Sequence, residues 1–323
     1  MKNLITAAFA FKEGYMTSIQ LNKTANDATK EMYLKNIFVS LSSAKLKNPE
    51  DDVVLSVNCE LSPEWKERFE KAGVGVRVVE FTEFVLPESF QWSLAFYKLN
   101  VLSGWVSENG YERILMVDAD TYFNLGCDDL WKEADRGIVL YPLGHTYSHS
   151  DRDIIRRDFE KLYPDKAAVL PITHYGGEFV CGNVRSLSRF VSSMKECFDT
   201  IKEGGFNVEK LIGDESLLSI CAALIYKEIP VIPATPYMFR FWTEDFYLVS
   251  TVTESNPVSI WHLPSEKDKG FLRMYRYFEK NGSYPDVKTA AKYFGIVRCK
   301  RPFNLITLSN KINGKLNSWK KKK

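Results

Sequence analysis

Apolar and polar positions along the first 120 residues alternate in two rhythms, one of strands and one of helices. Leu4 to Phe11 reads as a short buried strand closed by the polar turn Lys12-Glu13-Gly14. Between Met32 and Ala44 the residues Tyr33, Ile37, Phe38 and Leu41 recur at helical spacing and form one apolar stripe. Asp52 to Val57 is a second strand. Ser62-Pro63-Glu64-Trp65 sets a capping side chain before a proline at the first helical position, which predicts a helix to about Ala72, ended by Gly73. Val74 to Phe81 returns as strand, Gln91 to Val106 as a long helix, and Tyr111 to Val117 climbs into a further strand. Strands alternating with helices predict an α/β fold built on a doubly wound, mostly parallel sheet.

Composition narrows the classes of function. Lys+Arg 43 against Asp+Glu 41 gives a formal net charge of +2, which argues against a dedicated nucleic-acid binder. The balance is uneven: residues 287–323 hold 11 basic residues and no acid, leaving 32 basic to 41 acidic in the rest. No linker, repeat or low-complexity stretch precedes that tail, so one domain over 1–286 with a basic tail over 287–323 is the simplest organisation. The apolar run at the amino terminus ends at Lys12-Glu13, too short for a secretory signal. No stretch reaches the ~18 apolar residues of a membrane span. The six cysteines form no C-x-x-C pair and read as reduced thiols of a cytoplasmic protein.

The most informative stretch is Ile114-Leu115-Met116-Val117-Asp118-Ala119-Asp120. Four consecutive apolar residues fit a central strand buried on both faces. Two carboxylates then emerge at its carboxyl end, where open α/β sheets bind ligands. Hard divalent cations favour oxygen ligands and are often completed by substrate phosphates, so Asp118 and Asp120 are candidate ligands for Mn²⁺ or Mg²⁺.

Asp118-Ala119-Asp120-Thr121 resembles the first motif of the haloacid-dehalogenase-like phosphatases. There, however, the motif follows the first core strand, and here Leu218 and Ser219 stand where that family's second downstream Asp would fall. A wider resemblance is to glycosyltransferase family 8, which includes glycogenin and bacterial lipopolysaccharide galactosyltransferases. Tyr97-Lys98-Leu99, Tyr111 to Leu115, Asp118 to Thr121 and Cys127-Asp128-Asp129-Leu130-Trp131 resemble that family's central block in order. The resemblance implies a GT-A fold with a Rossmann-like nucleotide-binding half. It also implies that Asp118 and Asp120 serve the metal and Lys98 the donor.

Ser259 to Pro264, with Lys267 and Lys269 beyond, resembles the family's H-x-x-G-x-x-K-P-W segment, although Ser265 replaces the glycine and Asp268 falls on the usual lysine position. The likeness implies His262 as third metal ligand and a lysine on the donor diphosphate. Lys269 is favoured because Gly270-Phe271 follows it, with Lys267 the alternative. Tyr175-Gly176-Gly177-Glu178-Phe179 lies where the family has an acceptor and donor segment, and glycines there would let backbone approach a sugar. Asp214-Glu215-Ser216 resembles both the D-Q of family 8 and the D-E-S of family 6, the blood-group-type transferases. By the latter likeness Glu215 faces the anomeric carbon and Asp214 binds the sugar; both could equally be first-turn helix acids. Ala7, Ala8 and Tyr15 would line the nucleoside.

These likenesses imply a retaining, metal-dependent hexosyltransferase using a UDP-sugar donor and a glycan or glycolipid acceptor, as in polysaccharide biosynthesis. The rival is a non-catalytic sugar-nucleotide or glycan-binding protein on the same fold. Phe303, Leu305, Ile306, Leu308, Ile312, Leu316 and Trp319, interleaved with lysines, predict a basic amphipathic tail suited to peripheral contact with an anionic membrane.

Overall fold

The computed structural model describes residues 2–12, 26–87, 90, 93–143, 149–205, 213–243 and 258–296, with short pieces at 16–18, 23–24, 308–309 and 312. In chain order the strands are β1 (Asn3–Phe9), β2 (Met16–Ser18), β3 (Lys23–Thr24), β4 (Asp52–Val57), β5 (Gly75–Val78), β6 (Arg113–Val117), β7 (Thr121–Phe123), β8 (Ile138–Pro142), β9 (Tyr175–Asn183), β10 (Val231–Pro233), β11 (Met238–Arg240) and β12 (Ile260–His262). The helices are α1 (Asp27–Lys47), α2 (Pro63–Lys71), α3 (Tyr97–Ser107), α4 (Asp128–Arg136), α5 (His149–Leu162), α6 (Pro164–Ala167), α7 (Val184–Glu203), α8 (Gly213–Ile225), α9 (Gly270–Asn281) and α10 (Val287–Tyr293). Contacts divide them into two compact units. One comprises 1–12, 49–118 and 127–235, the other 13–48, 119–126 and 236–323.

The first unit is a seven-stranded sheet in the order β10-β8-β9-β6-β1-β4-β5. All neighbours run parallel except β9, which is antiparallel to both β6 and β8. The expected largely parallel α/β sheet is thus present, in mixed form. Leu4, Ile114, Met116, Leu140 and Val180 pack with α3, α7 and α8 in one apolar core. The alternate residues Ile5, Leu115, Val117, Val139 and Cys181 are buried as well. A sheet covered on both faces explains why these strands read as unbroken apolar runs.

Three elements differ from the sequence pattern, two of them for identifiable reasons. The strand expected to reach Phe81 ends at Val78 because Asn100 of α3 takes over the backbone beyond it. The Asn100 side-chain oxygen accepts from Thr82 N at 3.0 Å and Glu83 N at 2.7 Å, and its amide donates to Glu80 O at 3.0 Å. Helix α1 starts five residues before its apolar stripe because Asn26 caps it, accepting from Thr29 N at 2.9 Å. The segment expected as one helix from Gln91 opens as a 3₁₀ turn, Ser93–Phe96, before α3. Replacing Asn26 by alanine should lower unfolding free energy by about 1 kcal/mol, read by urea titration, because one helix-start N–H loses its acceptor.

In the second unit β7 lies beside β12, which lies beside β11. Helix α1 is tied to β7 by polar side chains. Ser40 Oγ meets Thr121 Oγ1 at 2.7 Å, and Ser43 Oγ accepts from Phe123 N at 3.0 Å. Tyr122, Trp261, Tyr284 and Phe294 form an aromatic cluster, with Phe271 against Phe294. Helix α10 carries the first two lysines of the basic segment and buries Ala290 and Ala291. The rest of the amphipathic pattern, apart from residues 308, 309 and 312, lies outside the described residues, as does Tyr15. No helix among the described residues is long and apolar enough to cross a membrane. Five described cysteines are free thiols, four of them buried.

Candidate metal centre and acidic cluster

Strand β6 delivers Asp118 to the carboxyl end of the large sheet. The register pairs Val117 with Ala7 of β1 and with Phe179 of β9. Ala8 and Glu178 are therefore the next residues beside Asp118, whose N–H donates to Glu178 O at 3.1 Å. Ala7 is fully buried in the sheet, and Ala8, near the carboxyl end of β1, is partly exposed.

A buried lysine organises this end of the first unit. The Lys98 ammonium donates to Asp118 Oδ1 at 2.5 Å and to Gly177 O at 3.0 Å, and it pairs with Asp214 Oδ2 at 3.1 Å. An ammonium has three N–H groups, and here three oxygens face it. Burial works against its charge, but Asp118 and then Asp214 hold its pKa above the ordinary range. Asp214 opens α8 and is itself buried; burial pushes its carboxyl up to about 6, against the pull of Lys98 and with the help of the Asp118 and Glu215 charges. Gly177 makes this packing possible, since a Cβ there would lie 2.1 Å from Asp214 Oδ2. The missing side chain thus makes room for a carboxylate of the protein itself. Gly176, also in β9, is buried.

Glu215 follows Asp214 in the first turn of α8, so both acids stand where the helix dipole favours negative charge. Its Oε2 lies 2.9 Å from His174 Nε2. Sequence reasoning did not single out His174; its one signal is that it immediately precedes the Tyr175-Gly176-Gly177 segment.

In the second unit the β7–β12 ladder sets His262 opposite Thr121, the residue after Asp120. Leu263 N donates to Asp120 O at 2.9 Å and fixes the strand crossing. Asp120 Oδ2 lies 3.3 Å from His262 Nε2 and accepts from Lys267 Nζ at 2.5 Å. Burial alone would raise the Asp120 pKa, but Lys267 and then His262 hold it well below the ordinary carboxylate range. Lys269 sits elsewhere, at the N-cap of α9, with its N–H on Glu266 O at 3.1 Å. Of the two lysines the sequence offers, Lys267 is the one whose ammonium meets Asp120.

Asp118, Asp120 and His262 each offer a ligand atom within 4.8 Å of the others. Two carboxylate oxygens and an imidazole nitrogen suit a borderline-hard divalent ion such as Mn²⁺ better than a thiolate-seeking one. Asp120 and His262 are buried and Asp118 is half-exposed.

One residue next to this region makes its own prediction. Glu266 is buried, with its carboxylate accepting from Thr243 Oγ1 and from Gly270 N at 3.1 Å. Burial pushes its pKa up to about 7. The folded state therefore holds this proton more tightly than the unfolded chain. Its stabilising effect is full below about pH 4 and fades as pH rises towards 7, by roughly 3 kcal/mol in all. Urea unfolding from pH 4.5 to 7.5 should show this downward slope in the native chain and a shallower one in Glu266→Gln.

No family model matches this chain, and the comparison with curated proteins gives no match.

Proposed function

We propose that the protein is a retaining, metal-dependent glycosyltransferase that moves a hexose from a UDP-sugar to a glycan or glycolipid acceptor. The observation that carries this reading is the donor set Asp118, Asp120 and His262, placed at the carboxyl end of a strand in a largely parallel sheet. Asp118 also pairs with Lys98, which in turn pairs with Asp214 of α8. In this reading Asp118, Asp120 and His262 hold Mn²⁺ or Mg²⁺, which when bound would neutralise charge on the donor diphosphate.

The remaining roles fall to the chain's own side chains. Lys267 adds an ammonium close to Asp120 to meet negative charge on the departing diphosphate. Lys98 pairs with Asp118 and Asp214, and the family resemblance assigns it to the donor. Asp214 grips sugar hydroxyls, and the Glu215 carboxylate stabilises positive charge that develops at the anomeric carbon. The anomeric carbon–oxygen bond to the diphosphate breaks, the acceptor hydroxyl oxygen bonds in its place as its proton passes to the departing diphosphate, and UDP is the second product. Ala7, Ala8 and Tyr15 are assigned to the nucleoside on the family resemblance alone.

The test is a panel of UDP-sugars with Mn²⁺ and varied acceptors, read by UDP release. Turnover that is lost on chelation and in Asp120→Ala is expected. Binding of UDP-sugars without turnover by any acceptor would make the protein a binding module instead. Phosphatase activity lost in Asp118→Asn, without UDP binding, would favour the dehalogenase-like alternative.

A further inference from the structure

We infer that His174 is a positioning residue that sets the orientation of the Glu215 carboxylate, an inference that rests on the glycosyltransferase reading. His174 is 6% exposed, and its Nε2 lies 2.9 Å from Glu215 Oε2. An ionised carboxylate only accepts, so the histidine Nε2–H is the donor in this pair. The histidine backbone is itself fixed, because Leu143 N donates to His174 O at 2.8 Å at the end of β8.

The neighbouring residue repeats the link by another route. Tyr175 N donates to Ser219 Oγ at 2.9 Å, and Ser219 Oγ donates to Glu215 O at 2.6 Å. Glu215 is thus gripped at its side chain by His174 and at its carbonyl through buried Ser219. Both grips come from the start of β9, the strand that also carries Gly177 against Asp214. A first-turn helix acid whose only task is to favour the dipole needs no such partner, since water serves it. A carboxylate that must face a reacting carbon does, because a misplacement of about 1 Å costs on the order of a hundredfold in rate.

The experiment is a double-mutant cycle on UDP-sugar turnover in the full chain. His174→Phe keeps the bulk of the ring and removes the donor, and should lower kcat on the order of a hundredfold with KM nearly unchanged. His174→Gln restores an N–H donor and should recover most of the loss. On a Glu215→Gln background, His174→Phe should add little. A general loss of structure would instead lower both backgrounds alike and would not be rescued by glutamine. If Glu215→Gln is slow while His174→Phe turns over like the native chain, the inference is wrong and the glycosyltransferase reading stands. If His174→Phe is equally damaging with and without the Glu215 charge, the inference is also wrong. If the native chain releases no UDP from any donor, the reading fails and takes the inference with it.

Discussion

Asp120→Ala should destabilise the metal-free protein by about 3–5 kcal/mol, the largest loss expected from any single change at the site. Asp120 is 2% exposed, and its Oδ2 faces both Lys267 at 2.5 Å and His262 at 3.3 Å. Removing the carboxylate leaves two buried basic groups without the charge that their burial is matched to. Such a loss exceeds the worth of the pair itself, because desolvated charge is what remains. Urea unfolding in the presence of a chelator measures it. The contribution also has a pH signature. The folded pKa of Asp120 lies below its unfolded value, so its stabilisation is present above about pH 4 and is lost only on strong acidification. A variant as stable as the native chain would mean that Lys267 and His262 find other partners at no cost.

Gly177→Ala should lower both stability and turnover, although the glycine carries no functional group of its own. An alanine Cβ at this position would lie 2.1 Å from Asp214 Oδ2, 2.7 Å from its Cγ and 2.8 Å from its Oδ1. Either the β9 backbone shifts or the carboxylate swings away from Lys98, and overpacking of this kind costs about 1–3 kcal/mol. Since Lys98 also holds Asp118, displacement of Asp214 disturbs the other acid too. UDP-sugar turnover should fall on the order of a hundredfold. The mechanism is checked by adding Asp214→Ala, which removes the obstructing carboxylate. In that background Gly177→Ala should cost little stability in urea unfolding, whereas an equal cost in both backgrounds would place the clash elsewhere.

These residues also mark how far the sequence could be read. The run Ile114 to Val117 gives away its own position, because only a strand covered on both faces tolerates four apolar residues in succession, and β6 is buried throughout. The Ser62-Pro63 start of α2 is equally local, since cap and proline lie within one turn, and Ser62 accepts from Trp65 N. The end of β5 is not local. It depends on Asn100, some 20 residues downstream, whose amide competes for the backbone of residues 80–83. The candidate site divides in the same way. Asp118 and Asp120 are legible because strand and turn are contiguous, and Asp214 and Glu215 because they open a helix. His174 is invisible from spacing, lying 41 residues before Glu215 along the chain. That Lys267 meets Asp120 while Lys269 starts α9 is not readable from spacing, because it depends on the short 3₁₀ turn Pro264–Glu266 between them and β12. Gly177 was legible as a place needing close approach, but which group approaches it was not.

The central claim is that Asp118, Asp120 and His262 hold a divalent cation, and Mn²⁺ binding followed by electron paramagnetic resonance tests it most directly. Mn²⁺ is titrated into the metal-free native chain, into Asp120→Asn and into His262→Ala, each with and without UDP. The account predicts one Mn²⁺ per native chain, held more tightly when UDP is present, and a loss of affinity of tenfold or more in each variant. Failure of the native chain to bind Mn²⁺ under either condition, or equal binding by all three proteins, would contradict it.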